Sequence, residues 1–220
     1  MPRLFLNREE AGRRLGESYA GPRHNAVVLG IPCGGIPVGY CLAETIGAML
    51  DVIVVRKLPI PDNPEAGFGA IAPDGSLVIN EEMMGTLRLP EQVIISISSM
   101  VLDEVRRREK AYRGDRPFPD LKGANIILTD DGLATGYTMI AAIKMAREHE
   151  AESVGVAVPV SPSRTASRIR PLADHFHCLH VSDRYPFAVA SFYYDFHDFS
   201  DDEVIRYLKR HAPQQSGSSP

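Results

Sequence analysis

Residues 126–138 read IILTDDGLATGYT, and this stretch decides both the fold and the position of the chemistry. Its aliphatic start predicts a buried strand, and two adjacent carboxylates, Asp130 and Asp131, follow directly. A loop of small residues then leads into a helix predicted over residues 136–149. Carboxylates at the carboxyl end of a parallel strand lie where open α/β sheets bind ligands.

The loop after these carboxylates has the chemistry of a phosphate site. Residues 134–138 supply backbone N–H groups, two threonine hydroxyls and a helix N-terminus. Carboxylates beside a bound phosphate suit sugar hydroxyls, a hydrated Mg²⁺, or both. A P-loop is excluded because Tyr137, and not lysine, follows Gly136. The alternative interpretation is a solvated turn that caps a helix.

Outside this stretch, aliphatic strands alternate with helical segments, which predicts an α/β fold with a largely parallel sheet. The predicted strands cover residues 26–31, 52–55, 126–128, 154–160 and 178–181. The predicted helices cover residues 8–19, 36–49, 136–149, 163–172 and 200–211, and Pro90 opens a further long amphipathic helix.

One segment interrupts this alternation. Residues 67–72 and 77–80 flank Asp74-Gly75, a turn pair typical of a β-hairpin. A hairpin inserted into a parallel α/β unit is more often a flap than part of the core. We therefore predict a hairpin flap over residues 60–85.

Composition limits the classes of partner. The 220 residues are 44% hydrophobic and 24% charged, which excludes disordered and fibrous classes. With 24 basic and 28 acidic residues the net charge is −4, so we expect no duplex nucleic acid partner. No apolar run approaches the about 20 residues of a membrane helix, and the first ten residues lack the apolar core of a signal peptide. We expect a cytoplasmic protein with no membrane partner and three reduced cysteines.

The stretch at 126–138 resembles the signature with which type I phosphoribosyltransferases bind 5-phosphoribosyl 1-diphosphate (PRPP). That signature has four mostly apolar residues, two acidic residues and a small-residue loop ending Thr-Gly-x-Thr. The wider chain is similar to this family from about Val27 to Phe196, most closely to a bacterial and archaeal subgroup. The resemblance implies one domain over residues 1–211, with a parallel-sheet core, a flexible hairpin flap and a small C-terminal hood at 182–200. Residues 212–220 are expected to form a disordered tail.

The resemblance also assigns roles to residues. Asp130 and Asp131 would be catalytic, contacting the ribose 2′ and 3′ hydroxyls and the water shell of Mg²⁺. The 5′-phosphate would be held by Ala134, Thr135, Gly136, Tyr137 and Thr138. The diphosphate would be held by Cys33, Gly34, Gly35, Arg56 and Lys57.

Two positions depart from the family pattern. Relatives in this subgroup often carry arginine immediately before the paired glycines, where this chain has Cys33. Enzymes for 6-oxopurines usually have aspartate at the position of Ala134, where it transfers a proton to the base. These departures bring diphosphate binding into question and make hypoxanthine or guanine poor candidates for the acceptor.

Aromatic residues concentrate in residues 184–196 of a chain that has no tryptophan. This run could stack a planar acceptor, and it vaguely resembles the base-binding hood of purine enzymes. The acceptor candidates are therefore Phe187, Val189 and Asp195. A hydrophobic plug or a dimer contact is an equally good interpretation of the same run.

The resulting hypothesis is a Mg²⁺-dependent phosphoribosyltransferase that acts on PRPP and a nitrogenous base, and the family resemblance implies a homodimer. One alternative is a non-catalytic regulatory protein of the same fold that binds PRPP or a nucleotide. Another is a phosphatase or nucleotide hydrolase that holds Mg²⁺ on the two aspartates, although no nucleophile motif supports it.

Overall fold

The computed structural model describes residues 3–61 and 63–211, apart from the side chains of residues 64 and 65; the tail predicted at 212–220 lies outside the described residues. The helices are α1 (Arg8–Ser18), α2 (Gly35–Ile46), α3 (Glu81–Leu87), α4 (Glu91–Arg113), α5 (Tyr137–Glu148), α6 (Ser163–Ile169) and α7 (Asp201–His211). The strands are β1 (Ala26–Gly30), β2 (Met49–Val52), β3 (Arg56–Ile60), β4 (Asn63–Ile71), β5 (Leu77–Ile79), β6 (Asn125–Thr129), β7 (Ser153–Pro162) and β8 (His175–Ser182).

The main sheet is parallel, with the strand order β2-β1-β6-β7-β8, so the predicted α/β class is confirmed. The chain runs outward from β1 to β2 and then returns to the other side of β1 with β6. The strand order therefore reverses between β1 and β6, and ligands of open α/β sheets bind at such a reversal. The loops after these two strands contain the paired glycines and the paired aspartates.

Helices cover both faces of this sheet, which explains the continuous aliphatic strands. On one face, Val28 and Ile127 pack in a core shared with α1, α2, α4 and α7. On the other face, Leu29 and Leu128 pack against α5. Among the described residues, no helix combines the length and apolar character needed to span a lipid bilayer.

The predicted hairpin is confirmed, but the strand before it and the helix after it were not predicted from the sequence. β4 and β5 pair antiparallel on either side of Gly75, whose φ is +90°. β3 adds a third strand to this small sheet, and α3 follows it, capped by the Asn80 side chain, which accepts from the Met83 N–H at 3.1 Å. Neither β3 nor α3 has a strong periodic pattern.

The strand predicted at 52–55 is wrong by three residues, because β2 is Met49–Val52. Residues 53–55 are buried and aliphatic, yet they leave the sheet and lead into β3. A run of aliphatic residues indicates that a segment is buried, but it does not show which of those residues pair with a neighbouring strand. The limits of the strand therefore cannot be predicted from the run alone. The helix predicted at 36–49 likewise ends at Ile46, where Gly47 takes a φ of +71°.

Candidate active site

The paired aspartates follow β6 directly, at the reversal of strand order. Asp131 donates its backbone N–H to Asp130 Oδ1 at 2.8 Å, and both aspartates are partly buried. Burial raises the pKa of Asp130, and the neighbouring Asp131 charge raises it further. Burial also raises the pKa of Asp131, although Arg8 opposes this shift. Two carboxyl groups in this environment favour a bound cation or hydroxyl donors.

Arg8, from α1, is the residue of this site that sequence reasoning missed. Its Nε donates to Asp131 Oδ2 at 2.8 Å, and its Nη1 donates to the His197 carbonyl at 2.8 Å. The guanidinium lies 3.8 Å from the centroid of the Phe196 ring, and the side chain is only 5% exposed. No local signal marks Arg8, because it is one of several charged residues on an amphipathic helix.

The loop at 134–138 presents backbone donors. Gly136 has a φ of +84° and precedes the first turn of α5. Two side chains of α6 fix this loop. Thr165 Oγ1 donates to the Ala134 carbonyl at 2.6 Å, and Arg168 Nη1 donates to the Thr135 carbonyl at 3.2 Å. Within residues 3–61 and 63–211, no acceptor takes the N–H groups of residues 134–138. These N–H groups and the helix N-terminus suit an anion.

The loop with the paired glycines packs directly against the aspartates. A Cβ on Gly34 would overlap the Asp131 carboxylate, and a Cβ on Gly35 would lie 2.8 Å from the Thr129 carbonyl oxygen. The Gly35 N–H donates to the Ile31 carbonyl at 2.9 Å, which closes the turn. Both positions therefore require glycine for a close backbone approach.

The side chain of Cys33 contacts α4 and α7 and not the paired aspartates. Its Sγ lies 3.8 Å from both Tyr112 Oη and Asp201 Oδ1, and Tyr112 donates to the same Asp201 oxygen at 2.5 Å. The thiol thus contacts α4 and α7, and position 33 offers the site only its backbone.

The two predicted basic residues lie at the start of β3. Arg56 Nη1 is 3.7 Å from Glu104 Oε1, in a cluster of charges on α4 that also includes Arg107 and Arg108. Lys57 is exposed. In this conformation Arg56 takes part in the α4 charge cluster.

A cavity of about 940 Å³ borders the loop at 134–138. It is also lined by the start of α6, by residues between 182 and 187, and by α3. Of the three acceptor candidates, Phe187 lines this cavity. Val189 packs over the Cα of Gly132, and Asp195 lies near His197, whose Nδ1 is 3.0 Å from Asp195 Oδ1. Neither of these two residues lines the cavity.

The donor set at the aspartates suits Mg²⁺. The described part of the chain contains no group of three or more His, Cys, Asp or Glu side chains placed to hold a metal ion. Mg²⁺ commonly binds through one or two carboxylates and completes its shell with water and substrate phosphates. Asp130 and Asp131 therefore fit Mg²⁺ bound together with a phosphorylated ligand, directly or through water.

Comparison with known proteins agrees with this arrangement. The family model described as "Phosphoribosyl transferase domain" matches residues 6–197. Two curated relatives, from Mycobacterium tuberculosis strains CDC 1551 and H37Rv, are named as candidate phosphoribosyl transferases. Each is 40% identical to this chain over 209 residues, which are 94% of this chain and 47% of the relative, so the chain spans about half of their length.

A solved structure of similar architecture is TT1426 from Thermus thermophilus. It is 34% identical in sequence, with a TM-score of 0.79, and the match covers 95% of this chain and 99% of TT1426. The family match covers both loops of the candidate site and both of its aspartates. This chain therefore belongs to the phosphoribosyl transferase domain family.

Proposed function

We propose that this chain carries out Mg²⁺-dependent transfer of the 5-phosphoribosyl group from PRPP to a nitrogenous base, with release of diphosphate. A bond forms between a nitrogen of the acceptor and ribose C1 while the bond from C1 to the diphosphate oxygen breaks. The diphosphate leaves with the electron pair, and the proton of the acceptor N–H passes to solvent.

The observation that carries this proposal is the position of the two aspartates between the amide-rich loop at 134–138 and the loop with the paired glycines. Asp131 lies beside Gly34 and Asp130 beside Gly35, and both aspartates precede the amide-rich loop at 134–138. This arrangement matches a ligand with phosphate groups at both ends and hydroxyl groups between them. PRPP has this order of groups.

In the proposed complex, the N–H groups of residues 134–138 bind the 5′-phosphate. Asp130 and Asp131 accept hydrogen bonds from the ribose 2′ and 3′ hydroxyls. The backbone at Cys33 and Gly34 approaches the diphosphate, and glycine at 34 and 35 permits this approach. Bound Mg²⁺ would supply positive charge to the departing diphosphate.

The chain's own contribution to the rate is positioning and electrostatic stabilisation. The acceptor in this proposal enters the cavity beside Phe187, next to the 5′-phosphate loop. The flap at 60–85 and α3, which border the same cavity, exclude water during transfer. Since position 134 is alanine, no carboxylate there exchanges a proton with the acceptor.

The proposal extends to the setting of the enzyme. We infer a cytoplasmic homodimer in which residues 1–211 act as one domain. The free thiols Cys33, Cys41 and Cys178 agree with a reducing compartment.

Release of diphosphate from PRPP in the presence of Mg²⁺ and a panel of nitrogenous bases tests this function. We expect release with one class of base, and we expect the double variant Asp130→Asn/Asp131→Asn to abolish it while keeping the fold by circular dichroism. The matched control is Asp103→Asn/Asp115→Asn, which removes two exposed carboxylates and retains wild-type turnover. Unchanged turnover in the Asp130/Asp131 variant would refute the assignment.

A further inference from the structure

Arg8 is a buried cation in direct contact with a carboxylate of the proposed PRPP site. Its Nε lies 2.8 Å from Asp131 Oδ2, and the two side chains are 5% and 15% exposed. The guanidinium is also held by the His197 carbonyl at 2.8 Å and lies over the rings of Phe196 and Phe199, at 3.8 and 5.2 Å. Together these contacts hold the Arg8 guanidinium in one orientation.

We propose that Arg8 is a positioning residue, which fixes the Asp131 carboxylate for ribose binding; this inference rests on the proposed function. Arg8 occupies one side of Asp131 Oδ2 and so sets the rotamer of that side chain. The backbone of Asp131 is fixed independently, because Tyr193 Oη donates to the Asp131 carbonyl at 2.6 Å. Asp131 is thus held at its side chain by α1 and at its backbone by the hood.

The electrostatics of the contact support the same role. A carboxylate with so little exposure carries a large desolvation cost unless a cation lies beside it. Removing only the cation leaves that charge uncompensated and favours a rotation of the side chain toward water. Such a rotation takes the carboxylate away from the ribose hydroxyls.

The chain keeps Arg8 in place through α1. The Asn7 side chain caps this helix by accepting from the Glu10 N–H at 2.9 Å. Gly12 and Gly16 let α1 approach α2 closely, since a Cβ on Gly12 would lie 2.9 Å from Cys41 Cβ and a Cβ on Gly16 would overlap Thr45. Because α2 begins at Gly35, α1 and the loop with the paired glycines are parts of one packed unit.

The inference is tested by titrating variants with two probes, PRPP in the presence of Mg²⁺ and inorganic phosphate alone. PRPP needs the ribose contacts of Asp131, whereas inorganic phosphate needs only the loop at 134–138. We expect Arg8→Met to weaken PRPP binding by about 10- to 100-fold, the usual loss when an outer partner of a ligating side chain is removed. Phosphate binding should stay at the wild-type value, which a general structural defect would not allow.

A double-mutant cycle shows whether Arg8 acts through Asp131. We expect Arg8→Met/Asp131→Asn to bind PRPP no more weakly than Asp131→Asn alone. Arg14→Met is the matched control, since Arg14 is also on α1 and also contacts a ring, that of Phe5, yet its partners lie outside the site. It should bind PRPP as the wild type does.

The outcomes separate this inference from the proposed function. If the wild type binds PRPP and Arg8→Met binds it equally well, the positioning role is wrong while the function stands. The same conclusion follows if the losses of PRPP affinity in the Arg8 and Asp131 variants are additive. Equal loss of PRPP and phosphate binding also overturns it. If the wild type fails to bind PRPP, both fall. Should Arg8→Met not fold, Arg8→Lys, which keeps the charge and loses the guanidinium fork, must show an intermediate loss.

Discussion

At the scale of single residues, the close approach of two loops explains why Gly34 has no side chain. Gly34 has a φ of −64°, which any residue can adopt, so its backbone conformation does not require glycine. The constraint is the space already taken by a carboxylate and a guanidinium: a Cβ would lie 2.7 Å from Asp131 Cγ and 3.1 Å from Arg8 Nε.

We predict that Gly34→Ala destabilises the fold by about 1–3 kcal/mol, the usual cost of overpacking, and weakens PRPP binding because Asp131 must move. Urea unfolding and a PRPP titration measure the two effects. Gly85→Ala is the control, because a Cβ there has no atom within 4 Å and Gly85 lies in α3; it should be neutral or slightly stabilising. Wild-type stability and affinity in Gly34→Ala would contradict the packing described for this loop.

At the scale of elements, α1 packs across β8 as well as α2, and a histidine lies at this contact. His177 Nε2 is 2.9 Å from Ser18 Oγ, and its ring meets that of Tyr19 edge-on, with 6.0 Å between centroids. Burial lowers the pKa of His177. The folded state therefore favours the neutral ring.

The lowered pKa of His177 makes stability depend on pH. As the pH falls below the ordinary histidine pKa of about 6.5, the unfolded chain takes up a proton that the folded chain resists. The free energy of unfolding therefore falls from neutral pH until the pH passes the folded pKa. We predict a smaller fall in His177→Gln than in the wild type, measured by urea unfolding between about pH 8 and pH 5.

His175→Gln is the control for this pH dependence, because His175 lies on the same strand with an exposed ring. It should show the wild-type slope. If His177→Gln shows the wild-type slope as well, the half-buried contact between α1 and β8 does not resist protonation, and the prediction is wrong.

At the scale of the whole molecule, the parallel sheet and its loops could be predicted from the sequence because each is encoded in a short continuous stretch of residues. β1, β6 and β7 are aliphatic runs covered on both faces, and the paired aspartates and the small-residue loop follow one of these runs without a break. The family resemblance added the role of the glycine loop, which lies about 100 residues earlier in the chain.

The features that the sequence did not predict depend on contacts between distant parts of the chain. Arg8 reaches Asp131 across 123 positions, and Tyr193 reaches the same residue across 62. The direction of the Cys33 thiol depends on α4 and α7, and the cavity beside Phe187 needs α3 and the hood together. No periodicity or local motif encodes how such elements meet.

The central claim is that the aspartates and the two loops form one PRPP site, and calorimetric titration with PRPP, with and without Mg²⁺, tests it most directly. We predict micromolar binding that requires Mg²⁺ and is lost in Asp130→Asn/Asp131→Asn. No binding at millimolar PRPP, with Mg²⁺ present and the protein folded, would contradict the claim.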